Sequence, residues 1–176
     1  MVLAGLQDDA AVVTRHLIIR GVLLGIGFGI CNLLSSLIAP LADDTIAALL
    51  LFYGPMFAIW GAIGFLAARK SGRIVDGIKA ASIVAFLTFV VFDVMVILRV
   101  NVFLYTLTDR PDWRNLMARF RTSGSENLRA FITYHYVMQS PFKILVATAI
   151  GISTGVIGGL LSSAYPSTAE EAMKNG

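Results

Sequence analysis

The sequence predicts an all-α integral membrane protein with four transmembrane helices and an interfacial amphipathic helical segment between the third and the fourth. Hydrophobic residues make up 57% of the chain and charged residues 14%, against about 25% charged in an ordinary soluble domain. Four apolar stretches are each long enough to cross the hydrocarbon as a helix, which takes about 20 residues. Between the last two stretches, apolar and basic residues recur with helical periodicity.

A single transmembrane domain of 176 residues accounts for the whole sequence. Each span must be helical, because lipid offers the backbone no hydrogen-bond partner. The alternating pattern of lipid-facing barrel strands is absent from these stretches. The predicted spans are residues 17–39, 45–68, 80–105 and 144–165, and the amphipathic arm covers residues 106–140.

Basic residues predict the orientation. The short turn from Arg69 to Arg73 is basic, and the positive-inside rule places such a turn on the cytoplasmic or matrix side. An even number of crossings then places both termini on that side. Seven cations lie on the side of the basic turn and six, counting Lys143, lie on the opposite side. The predicted orientation therefore depends mainly on the short loops. We expect the inner membrane of a bacterium or of an organelle.

The third connection contains a predicted amphipathic helix. Pro111 suits its first turn, with Asp109 as its cap. A cationic polar face opposite an apolar face is typical of a helix that lies in a membrane interface. Two roles of this helix stay open. It is a structural element that stabilises the bundle at the interface, or it is a docking surface for a partner subunit or for anionic lipid headgroups. The apolar face includes Trp113 and Phe120, and the polar faces carry Arg114, Arg119 and Arg121.

A second helix is expected to follow within the same arm. Gly124 ends the first helix, and the spacing of Ser123 and Glu126 matches a capping box that would start the next one. Pro141 would interrupt or kink this helix just before the fourth span begins.

Glycines at four-residue spacing predict tight helix packing in two spans. Small residues let backbones approach closely, which is how helices associate in lipid. The pattern does not say whether the two spans pack on each other or on another membrane protein. The glycines are Gly21, Gly25 and Gly29 in the first span, and Gly151, Gly155 and Gly159 in the fourth.

Asp93 is the most unusual residue of the third span. A charge at that depth costs about 2.5–3.5 kcal/mol on the insertion scale. Arg99 follows about 9 Å further along the helix axis, and Asn32 is a polar residue of the first span. Three interpretations stay open for Asp93. It forms a structural pair with Arg99 or a neighbouring subunit, it is protonated and hydrogen-bonded inside the bundle, or it relays protons or cations.

Motifs for catalysis, metal binding and phosphate binding are absent from the sequence. It holds no P-loop, no H-E-x-x-H pair and no G-x-S-x-G elbow. Its single cysteine, Cys31, excludes C-x-x-C sites, and its two histidines, His16 and His135, have no second ligand at helical spacing. We therefore expect no metal, no cofactor and no enzymatic activity.

A net charge of +3 does not point to nucleic acid here, because loops that face anionic headgroups explain a basic membrane protein. These features favour a non-catalytic subunit of a larger membrane complex that provides helix-packing and lipid-contact surfaces. Its partners would be membrane lipids with anionic headgroups and other membrane protein subunits. The alternative is a small proton or cation transporter or channel that uses Asp93.

Overall fold

A computed structural model describes residues 2–38, 46–109 and 113–164, and these residues form helices and no strand. Four helices are long and apolar enough to cross a membrane, which confirms the predicted all-α fold with four transmembrane helices. The helices are α1 (Val2–Ile38), α2 (Ile46–Ser71), α3 (Ile74–Val102), α4 (Leu104–Leu107), α5 (Arg114–Thr122) and α6 (Leu128–Ala164).

Helix α6 is longer than the predicted fourth span. It begins at Leu128 rather than at Ile144 and continues through Pro141, so of the two predicted effects of this proline, an interruption or a kink, the interruption does not occur. Proline removes one backbone donor and displaces one carbonyl, but packing and side-chain hydrogen bonds can hold a helix together around it. Contacts between α6 and α3 lie on both sides of Pro141, at Ser140 before it and at Gly151 after it.

The start of α6 also differs from the prediction. The Asn127 side-chain oxygen accepts the backbone N–H of Ala130 at 3.0 Å, so Asn127 is the capping residue. The Ser123 hydroxyl donates to the Phe120 carbonyl at 2.7 Å and closes α5, so the predicted capping box is wrong. Gly124 follows with a φ of 70°, a conformation that glycine adopts without strain. The predicted first turn of the arm helix at Pro111 lies outside the described residues.

Helix α3 is the centre of the bundle. It packs against α1, α2 and α6; α2 also packs against α6, whereas α1 packs mainly against α3. Helix α1 runs parallel to α3, because Gly21 faces Leu87 and Gly29 faces Met95. Helix α6 runs antiparallel to α3, since Gly159 faces Ile74 near the start of α3. The first part of α1 and the last part of α6 therefore lie at one end of the bundle.

This end also carries the turn between α2 and α3, and we name it the basic-turn end. The opposite end, where α4 and α5 lie, is the α5 end.

Two apolar clusters fill the interior. The central cluster contains Met56, Trp60, Val84, Ala85, Phe89, Phe92 and Ala147. The cluster at the α5 end contains Val100, Leu104, Trp113 and Ile132.

Candidate functional site: polar contacts and glycine rows around α3

The carboxylate of Asp93 lies inside the bundle, with 5% of the residue exposed. The Ser140 hydroxyl of α6 donates a hydrogen bond to Asp93 Oδ2. The same hydroxyl lies 3.0 Å from the Tyr136 carbonyl, which is the usual local partner of a helical serine. The contact to Asp93 therefore joins α3 to α6 and gives the buried carboxylate a polar partner.

Arg99 points to a different neighbour. Its Nη1 donates to Asn32 Oδ1 at 2.6 Å, which joins α3 to α1. Residues six apart on a helix lie on faces about 120° apart, so Asp93 and Arg99 point toward different helices. Across the side chains that the structure describes, no ion pair links Asp93 to Arg99. The sequence singled out Asn32 and Arg99 separately, and the structure brings them together.

A third polar contact lies nearer the α5 end. The Thr133 hydroxyl of α6 donates to Asn101 Oδ1 of α3 at 3.1 Å. Asn101 in turn donates from Nδ2 to the Ile97 carbonyl at 2.9 Å. Sequence reasoning missed Asn101, Thr133 and Ser140. Thr133 and Ser140 lie two helical turns apart, and this spacing could have shown that they share one helix face. The change expected at Pro141 instead separated both residues from the fourth span.

The polar and glycine contacts of α6 form one antiparallel seam with α3. Polar pairs occupy the half of the seam near the α5 end, and glycines occupy the half near the basic-turn end. Going from the first end to the second, the pairs are Thr133 with Asn101, Ser140 with Asp93, Gly151 with Ala85, Gly155 with Ala81, and Gly159 with Ile74.

The glycines of α6 leave no room for a side chain. A Cβ added at Gly155 would lie 2.9 Å from the Ala81 Cβ, and one at Gly159 would lie 2.7 Å from the Ile74 Cγ2. Real Cβ atoms are not found at such distances. The neighbouring Gly158 packs against α2 instead, at the Gly61 carbonyl. Small residues thus set the close approach of α6 to both α2 and α3.

The glycines of α1 pack against α3 in the same way. An added Cβ would lie 2.8 Å from the Leu87 Cβ at Gly21, and 2.6 Å from the Thr88 carbonyl oxygen at Gly25. At Gly29 it would lie 2.6 Å from the Met95 Cβ. The two predicted glycine rows therefore both lie against α3, and not against each other.

A second row of small residues on α1 faces outward. Gly27 has no atom within 4 Å of an added Cβ, and Cys31, one helical turn later, is exposed. Leucine side chains border this row, with Leu23 62% and Leu34 50% exposed. Helix α1 therefore presents one glycine row to α3 and one open row to its surroundings.

Helix α5 covers part of the bundle at its own end. Trp113, which precedes it, is 5% exposed and packs with Leu104 and Ile132, so this indole faces the bundle and not lipid or a partner. The rings of Phe120 and Phe131 lie 5.5 Å apart. The three predicted lipid-facing or partner-facing arginines, Arg114, Arg119 and Arg121, are exposed.

Lys143 lies within α6, not in the preceding connection as the sequence suggested. It is one turn from Ser140, and its Nζ lies 5.3 Å from the centre of the Tyr136 ring. The side chain thus bends toward the α5 end, as expected of a lysine that keeps its charge near a polar surface.

The described residues contain no group of three or more His, Cys, Asp or Glu side chains placed to hold a metal ion. His135 is paired with Gln139, with 2.9 Å between the two side-chain nitrogens. Comparisons of the chain with protein-family models, with curated proteins and with solved structures find no match.

Proposed function

We propose that this chain is a non-catalytic subunit of a larger membrane complex, and that it binds another membrane protein through the outer face of α1. The observation that carries the proposal is the open row of Gly27 and Cys31. Lipid tails are as apolar as leucine, so helices associate in a membrane through close packing at small residues. The inner row of α1 already packs in this way against α3.

The proposed setting is the inner membrane of a bacterium or organelle, with both chain termini on the cytoplasmic or matrix side. Exposed Arg69, Lys70 and Arg73 at the basic-turn end support this orientation. A cysteine introduced at the exposed Ser71 in a Cys31→Ser background tests it. We expect labelling by a membrane-impermeant maleimide only in inverted vesicles; labelling only in right-side-out vesicles would reverse the orientation.

Purification in a mild detergent tests the subunit proposal, with Gly27→Leu as the variant and Gly54→Leu as the matched control. Neither glycine has an atom within 4 Å of an added Cβ, so both variants should fold. We expect the native chain and Gly54→Leu to elute with a partner protein, and Gly27→Leu to elute without it. A native chain that runs alone, or a Gly27→Leu chain that keeps the partner, would contradict the proposal.

The second candidate is a small proton or cation transporter or channel. The observation in its favour is the burial of Asp93 against Ser140, because carboxyl groups inside a membrane often mark ion paths. Flux into vesicles that contain the purified chain tests it. Asp93→Asn should abolish the flux, whereas Asp109→Asn, at an exposed position, should leave it unchanged. A native chain without flux, or an unchanged flux in Asp93→Asn, excludes this function.

A further inference from the structure

The α3–α6 seam ends in an open depression at the α5 end of the bundle. Its volume is about 500 Å³. Asn101 lies close to the end of α3, and Asn127 caps the start of α6, so both elements contribute to the walls. The lining side chains are Asn101, Asn127, Arg129, Thr133, Tyr134 and Val137, together with Ala130.

Most of the lining surface is apolar, and the few polar groups at the depression suit an anion. Arg129 brings a guanidinium with five N–H donors, and no lining residue is a carboxylate. The side-chain oxygen of Asn127 is used to cap α6, so its amide nitrogen is the group that can bind a ligand. The bond between Thr133 and Asn101 joins two of the side chains that line the depression. A phosphate group matches this set, because a guanidinium binds two of its oxygens at once.

Apolar surface continues from the depression toward the middle of the bundle. Val137 lines its inner side and is 44% exposed. On α3, Leu98 and Val94 lie one and two turns inward of Asn101 on nearly the same face and are 54% and 51% exposed. On α6, Leu145 is 68% exposed. A ligand with a phosphate at one end and acyl chains at the other fits both surfaces.

We infer that this depression binds the headgroup of an anionic phospholipid, with the acyl chains lying along the exposed apolar faces of α3 and α6. A bilayer supplies such a ligand at this depth, where Tyr134 also has the position usual for an interfacial aromatic residue. The site is separate from the arginines of α5, and it does not depend on which protein binds α1.

Native mass spectrometry of the full chain in detergent tests the inference, with phosphatidylglycerol and phosphatidylcholine as the two probes. Phosphatidylglycerol should stay bound to the native chain, and phosphatidylcholine should not. Arg129→Gln should weaken phosphatidylglycerol binding about tenfold, the size expected for a lost charged hydrogen bond. The matched control is Arg73→Gln, an exposed arginine at the basic-turn end and far from the depression, which should leave binding unchanged.

A second variant tests the site without changing Arg129. Asn127→Asp keeps a good helix cap but adds a negative charge to the depression, so it should also weaken phosphatidylglycerol binding. Three outcomes would overturn the inference: equal binding of both lipids by the native chain, equal loss in Arg73→Gln and Arg129→Gln, or displacement of the lipid by inorganic phosphate. The last outcome would indicate a site for free phosphate.

Discussion

Arg99 of α3 donates a hydrogen bond to Asn32 of α1 across 2.6 Å, although 67 positions separate the two residues in the sequence. This bond extends the contact that the inner glycine row makes, since Asn32 follows Gly29 by three residues on α1. Because α1 packs mainly against α3, the glycine row and this polar bond are among the contacts that hold the first helix in the bundle.

Replacing Asn32 by leucine should loosen α1. The substitution removes the side-chain acceptor of a partly buried guanidinium, and we expect a loss of about 1–2 kcal/mol in the free energy of unfolding. Unfolding by SDS in mixed micelles measures the change. Asn115→Leu, at an exposed position of α5, is the control and should alter the free energy much less. Equal effects of the two substitutions would mean that the Asn32 bond contributes little.

Ser140→Ala should destabilise the α3–α6 seam by about 1–2 kcal/mol, because it leaves the Asp93 carboxylate without its partner from α6. Asp93→Leu should restore part of this loss in the alanine background, since it removes the buried polar group that has lost its partner. Ser163→Ala is the matched control, because that exposed hydroxyl donates only to the Leu160 carbonyl of its own helix. No difference between the two serine variants would contradict the role given to Ser140.

Gly25→Ala and Gly27→Ala should change the stability in opposite directions. At Gly25 the new methyl would lie 2.6 Å from a backbone oxygen of α3, and such overpacking costs about 1–3 kcal/mol. At Gly27 the methyl meets open space, and alanine is the better helix former by about 1 kcal/mol. Thermal unfolding of the two purified variants in detergent measures both. Equal shifts would show that α1 does not pack as described.

Trp113→Ala should expose the α5 end. The buried indole joins the residues before α5 to α3 and α6, and its removal should cost about 3–5 kcal/mol. Hydrogen exchange should then rise in α4 and α5 while the glycine seam stays protected. Tyr105→Ala is a control at a side chain that is 78% exposed. Unchanged exchange in α5 would return Trp113 to the interfacial role that the sequence predicted.

The long apolar runs predicted the spans well, because crossing the hydrocarbon requires length and composition that few other structures share. They could not predict which helix packs on which, since apolar faces differ little in a membrane. The glycine spacing predicted close helix approaches at Gly21 and Gly151, but only the structure shows that both glycines pack against α3.

The sequence rules for where a helix begins and ends were less reliable around Pro141. A proline that would end an isolated helix lies inside α6, so the polar partners before it, Thr133 and Ser140, were assigned to the arm and not to the bundle. Trp113 shows a related limit. Helical periodicity identifies an apolar face, but it does not say whether that face meets lipid or the protein's own core.

Cys31 allows the most direct test of the proposed subunit role. It is the single cysteine of the chain and lies exposed on the open row of α1. In native membranes, N-ethylmaleimide should leave Cys31 unlabelled in the native chain and in Gly54→Leu, because the bound partner covers it, and should label it in Gly27→Leu. If Cys31 is labelled equally in the native chain and in Gly27→Leu, α1 faces lipid and the proposed interface does not exist.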